Sequence, residues 1–364
     1  LRAHPPLQGG RMLNRRQILA ATPAVALMGC GRAPAVAERW SLGSLKAAAP
    51  FPVGVAGMTG QLRDPAWVDL VSTHFSQLTP EWEMKMERLV RDDGTLDFEA
   101  SDRLAAFCDQ QRIRLFGHTL IWYAQEHPWF QGLPEERFAA EHDRYVRTVV
   151  ERYRRRIVGW DVVNEPVAED GNGYRDCLWS RRLGGIDGYI RRAFDVAREA
   201  DGEAALFLND YNLENNPTKG ASYLRLVERL LAAGTPITGL GTQSHLDITI
   251  PEGRISGFMH ELAGFGLPIH VSELDASLGG GGRMDLRSRE TRLSQQRDRV
   301  VELAEAFMAL PPAQRWAFSI WGARDSDTWM VRDGREPDGA PVLFDGQGRA
   351  KPLAAEVARV FAGG

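Results

Sequence analysis

Short runs of β-forming residues alternate with longer amphipathic stretches along most of this 364-residue chain. Strands are predicted at Val53–Gly57, Thr73–Leu78, Ile113–His118, Ile157–Asn164, Ala204–Asn209, Ile237–Gln243, Pro268–Glu273 and Trp316–Trp321. The stretches between them carry apolar positions at helical spacing, for example Ala100–Gln111, Glu136–Tyr153, Gly188–Ala200, Lys219–Ala233 and Gln295–Leu310. Strands joined by crossover helices give a parallel sheet, and eight such units suit a closed (β/α)8 barrel better than an open doubly wound sheet. No glycine-rich phosphate loop follows the first strand, which argues against a dinucleotide fold. Two strands end in a carboxylate: Val162-Val163 runs into Glu165, and Ile269-His270-Val271 into Glu273. In an α/β barrel, chemistry sits at those strand ends. A pair of acids there is what retaining glycoside hydrolysis requires, one as proton donor and one as nucleophile.

Composition changes the picture mainly at the start of the chain. Residues 1–40 carry six arginines and one acid, so a net charge of -4 overall leaves the remainder at -9. That balance disfavours nucleic acid as a partner. The leader contains Asn14-Arg15-Arg16-Gln17-Ile18-Leu19, which looks like a twin-arginine export signal, then the apolar run Ala20–Met28. Leu27-Met28-Gly29-Cys30 resembles a lipobox, which would place a lipid on Cys30. The expected division is therefore a leader over 1–40 and one barrel domain over 41–364, exported to the periplasm or beyond, with membrane contact only through that lipid. The remaining cysteines, Cys108 and Cys177, are left open between free thiols and a disulfide. Ten tryptophans exceed what a core needs and would suit stacking on sugars.

Eight segments in order then carry a resemblance: LTPEWEMKM (Leu78–Met86), FGHTLIWYAQ (Phe116–Gln125), WDVVNEP (Trp160–Pro166), LFLNDYNLE (Leu206–Glu214), GLGTQSHLD (Gly239–Asp247), VSELDAS (Val271–Ser277), IWGARDSDTW (Ile320–Trp329) and LFDGQGRAKP (Leu343–Pro352). Together they resemble glycoside hydrolase family 10, the endo-β-1,4-xylanase family, from about Pro52 to Pro352. The resemblance implies a single-domain (β/α)8 barrel that cleaves β-1,4-xylosidic bonds in xylan or xylo-oligosaccharides with retention. It implies Glu165 as acid/base and Glu273 as nucleophile, with carboxyl groups about 5–5.5 Å apart. His245 would hold the nucleophile and Asp275 would orient His245. Asn164 and Gln243 would meet the sugar 2-hydroxyl at the cleavage point. Glu81 and Lys85 would bind sugar hydroxyls on the non-reducing side, with Trp122 and His118 beside them, His118 in an orienting role. Trp321 and Trp329 would be aromatic walls, and Tyr211 a wall on the leaving-group side.

Two positions depart from the family pattern. Trp82 stands where an asparagine binds the second non-reducing sugar, and Tyr123 where a histidine binds the sugar at the cleavage point. Trp82 would either reshape the outer subsite or add a stacking platform. The alternatives to xylan cleavage are a relative acting on another β-glycan or small β-glycoside, and a non-catalytic carbohydrate-binding barrel. No clustered ligand set calls for a metal, and carboxylate chemistry calls for no organic cofactor. A monomer with a carbohydrate substrate is expected.

Overall fold

The computed structural model describes residues 43–279 and 285–363; the leader, its export motif and Cys30 lie outside them. Eight parallel strands close on themselves: β1 (Val53–Gly57), β2 (Gln77–Pro80), β3 (Arg114–Gly117), β4 (Ile157–Asn164), β5 (Ala205–Asp210), β6 (Gly239–Thr242), β7 (Ile269–Ser277) and β8 (Arg315–Ile320). Closure is direct, since β8 pairs with β1 through Phe318 and Val53 and with β7 through Val271 and Phe318. Strands covered on both faces need no polar alternation, and β4 is buried along nearly its whole length. Inside the barrel Phe116, Phe207 and His270 pack ring on ring, with centroids 4.5–5.8 Å apart. Burial drives His270 down to about 3, so it is a neutral imidazole that hydrogen-bonds Ser319 Oγ at 2.8 Å.

The outer helices bury one stripe each. Glu135–Arg152 turns Phe138, His142, Tyr145, Val146, Val149 and Val150 inward, the i, i+3, i+4 spacing of an amphipathic helix. Pro217–Ala232 begins with proline at its first turn, and the Asn216 side chain accepts from Thr218 N and Lys219 N.

Three sequence expectations change. Residues Thr73–His74 finish the helix Pro65–His74, so the second strand starts only at Gln77. The seventh strand continues past Glu273 to Ser277, because a short strand, His245–Asp247, pairs with its outer end. Cys108 and Cys177 are both buried free thiols, which closes the disulfide option between them. No described helix is long and apolar enough to cross a membrane.

Candidate active site

The residues that follow the strands converge at one rim. Glu81 follows β2, His118 follows β3, Glu165 follows β4, Tyr211 follows β5, Gln243 follows β6 and Trp321 follows β8, while Glu273 lies within the outer half of β7. Two short pairings add precision. Ile121–Trp122 pairs with the end of β4 so that Trp122 lies beside Asn164, and His245 is registered opposite Asp275. Asp275 is two residues beyond Glu273 and therefore on the same strand face.

Glu165 is nearly buried and is held at a left-handed backbone position, φ +58°. A non-glycine residue there costs roughly 1–2 kcal/mol. The chain holds it with Glu165 N donating to Asn209 O (2.8 Å) and Arg175 Nε donating to Glu165 O (3.0 Å). Its carboxylate receives Trp122 Nε1 at 2.8 Å on Oε2, and Asn164 Nδ2 (3.1 Å) and Gln243 Nε2 (3.0 Å) on Oε1. Trp122 thus orients the acid, a part that the sequence did not announce.

Glu273 Oε1 receives Asn209 Nδ2 at 3.1 Å, and the same amide reaches Asn164 Oδ1 at 3.0 Å. The two carboxylates are therefore joined by a chain of amides, Glu165–Asn164–Asn209–Glu273. Gln243 leans on the Glu165 side of it through its side-chain amide, which donates to Asn164 Oδ1 at 3.1 Å, while its backbone carbonyl accepts from Glu273 N at 3.0 Å. His118 Nδ1 bonds Asp161 Oδ2 at 2.8 Å and lies 4.0 Å from Glu273 Oε1. His245 places Nδ1 on Asp275 Oδ1 at 2.8 Å and Nε2 at 3.5 Å from Glu273 Oε2.

These contacts set the charges. Burial alone would push Glu273 up, but His118 and the hydrogen bond from His245 outweigh it and hold Glu273 below the ordinary carboxylate value. Burial would lower His245, but the Asp275 and Glu273 carboxylates lift it to about 10. Asp275 itself is raised by burial, with His245 and the Trp329 indole, 2.8 Å from Oδ2, pulling the other way. Asp161 is raised to about 6 by burial, opposed by its bond to His118. Glu273 is thus held as a carboxylate, while the Glu165 carboxyl oxygens accept from the neutral groups of Trp122, Asn164 and Gln243.

His118, Asp161 and Glu273 also bring three potential metal-ligand atoms within 4.8 Å of one another. Their spacing is already explained by an imidazole shared between two carboxylates, one of which accepts a hydrogen bond from it.

The remaining expected residues fall around this centre. Lys85 is buried, and burial lowers it against the pull of Glu273, Glu165 and Glu81. Its ammonium lies 4.7 Å from the ring centroids of both Trp82 and Trp122. Trp321 packs edge-on to His118 at 5.4 Å, and Trp329 to His245 at 5.9 Å. On the other side Arg175 stacks 3.8 Å over Tyr123 and donates to Tyr211 Oη at 2.8 Å. The back of Tyr211 is covered by Lys219, fully buried and paired at 3.0 Å with buried Asp210.

Four participants escaped the sequence reading. Asp161 and Asn209 had a signal, a polar residue inside a strand of β-formers (WDVVN and LFLND). Arg175 and Arg332 had none: Arg332 meets Glu81 across 251 residues of sequence.

A family model for glycosyl hydrolase family 10 matches residues 42–360. An exoglucanase, XynX, of Acetivibrio thermocellus is 32% identical across 83% of this chain, which spans 28% of that relative's length. An endo-1,4-beta-xylanase A of Halalkalibacterium halodurans is 34% identical, over 83% of this chain and 82% of its own. Among solved structures, a family 10 protein from Paenibacillus barcinonensis superposes with a TM-score of 0.80 at 29% identity, covering 87% of this chain and 97% of the other.

Proposed function

Because the chain belongs to glycosyl hydrolase family 10, we propose that it hydrolyses β-1,4-xylosidic bonds of xylan or xylo-oligosaccharides with net retention. The observation that carries this reading is the amide-linked pair of buried carboxylates, one of them kept ionised by two histidines. Glu273 attacks the anomeric carbon as Glu165 delivers its proton to the departing glycosidic oxygen, forming a glycosyl ester and a free hydroxyl. With the ester formed, Glu273 carries no charge, and Glu165, now a carboxylate, takes a proton from water as the water attacks the same carbon. Asn164 is placed to meet the 2-hydroxyl once a sugar enters and its amide turns from Glu165. Solved xylanases of the family support the substrate class, one of them, from Cellvibrio japonicus, in complex with xylopentaose.

The test is a product-resolved digest of xylan and xylohexaose, with the anomer of the first-formed product read by NMR. Short β-configured xylo-oligosaccharides from the wild type and none from Glu273→Ala support the reading. An α-configured first product, or equal release by the variant, sinks it. Export is proposed alongside, on the Arg15-Arg16 and Leu27–Cys30 motifs. Cell fractionation with an Arg15→Lys, Arg16→Lys pair checks it, and unchanged location in the variant would refute it.

A further inference from the structure

We propose that Arg332 is a specificity-determining residue that withdraws Glu81 from sugar binding, leaving only a weak position for a second sugar on the non-reducing side. The inference rests on the xylan-cleaving reading above and adds which part of the substrate the cleft grips.

Glu81 follows β2 at the cleft rim and is almost fully buried. Both of its oxygens are taken by one guanidinium: Arg332 Nη2 donates to Oε1, and Nη1 to Oε2 at 3.3 Å. Forked arginine–carboxylate pairs are among the strongest hydrogen-bonded contacts in proteins. Here the carboxylate is also desolvated: burial pushes Glu81 up, and Arg332 is the main force opposing that push. A buried acid stripped of such a partner is left uncompensated. Each Glu81 oxygen keeps one further lone pair, but the guanidinium already draws on the charge of the carboxylate, so a sugar hydroxyl that reaches it gains less than from an unpaired carboxylate.

Arg332 is placed by the same turn that places an aromatic wall. It ends the short helix Trp329–Arg332, and its backbone N–H donates to Thr328 O at 3.0 Å. The neighbouring position offers no substitute acceptor, because Trp82 presents a ring over which Lys85 and Arg88 lie, at 4.7 and 5.9 Å. Lys85 differs from both. Apart from its two ring contacts its ammonium donors are unspent among the described residues, and the carboxylates that pull on it most are Glu273 and then Glu165. It stays available to the sugar at the cleavage point. The sugar at the cleavage point therefore keeps a cationic ligand, while the position beyond it, beside Trp82, has neither the expected asparagine nor an unpaired carboxylate from the adjacent Glu81.

The test compares kcat/KM for an aryl β-xyloside and an aryl β-xylobioside in the wild type, Arg332→Gln, Arg332→Lys and Glu81→Gln. The ratio of the two substrates on one sample cancels any difference in folded fraction between variants. The wild type should prefer the xylobioside by less than about tenfold, below what one hydrogen bond to a charged group confers. Arg332→Gln should raise that preference roughly tenfold by freeing Glu81 as an acceptor. Arg332→Lys, which keeps the charge without the fork, should fall between. Glu81→Gln should leave the ratio nearly unchanged. A strong wild-type preference abolished by Glu81→Gln, or an Arg332→Gln ratio equal to wild type, overturns the inference while leaving the glycosidase reading intact. If neither glycoside nor any xylan is cleaved, both fall together.

Discussion

Replacing Asp275 by asparagine tests the electrostatic core of the site without changing its shape. In the wild type, Asp275 Oδ1 meets His245 Nδ1 and Oδ2 accepts from the Trp329 indole, each at 2.8 Å. Asparagine keeps one acceptor and removes the charge. Burial already presses His245 downward, and Asp275 is the largest of the forces lifting it to about 10. Without it the imidazole loses its strongest upward pull, and Glu273 loses much of the charged contact that His245 makes with it at 3.5 Å, a type of contact worth at most about 1.5–3 kcal/mol. Less of Glu273 is then ionised at a given pH. Glu273 must be ionised to attack, so the acid limb of kcat/KM on an aryl β-xyloside should move to higher pH, with activity on that limb down by roughly tenfold. A second readout has its own sign. The folded pKa of His245 lies above its unfolded value, so its contribution to stability is complete below about pH 6.5 and fades as pH rises toward 10. The gap in Tm between wild type and Asp275→Asn should accordingly narrow in alkaline buffer. An acid limb that stays where it is, in a variant that folds, would show that Glu273 does not depend on this relay for its charge.

Two further outcomes follow from packing. At Gly241, on β6, an added methyl would sit 2.3 Å from Asn209 Oδ1, and Asn209 is the amide joining the two acids. Gly241→Ala should cost about 1–3 kcal/mol in chemical denaturation and roughly a hundredfold in kcat through the displaced amide; wild-type kcat would mean that Asn209 need not be held in place. Cys108 is buried, and burial pushes its thiol to about 12. Neither Cys108 nor Cys177 should react with iodoacetamide at pH 8 until denaturant is added, and fast labelling of either one in the native protein, read by peptide mapping, would contradict its burial.

The (β/α)8 class was legible because strand and helix periods are local properties of the chain, and Val53–Gly57 and Ile157–Asn164 form with the predicted limits. Boundaries failed where another element competed for the residues. Thr73 and His74 look like the start of a strand, yet they complete a helix, and His74 is buried there against Phe344. The outer end of β7 depended on a partner strand from 30 residues earlier that the apolar pattern did not mark.

Within the site the same division holds. Glu165 and Glu273 could be singled out from sequence because a polar residue ending an apolar strand is costly unless it is used, whereas His245 and Asp275 were implied only by the family resemblance. The sequence by itself determined the barrel, the rim on which chemistry sits and which two acids stand there. Only the tertiary structure decided what each side chain is free to do. Trp122 was expected at the sugar and also proves to hold Glu165; Glu81 was expected at a hydroxyl and is paired with Arg332. Those outcomes depend on which donors arrive from distant strands and helices. A buried carboxylate takes the strongest partner within reach, and reach is a property of the closed barrel rather than of any segment of the chain.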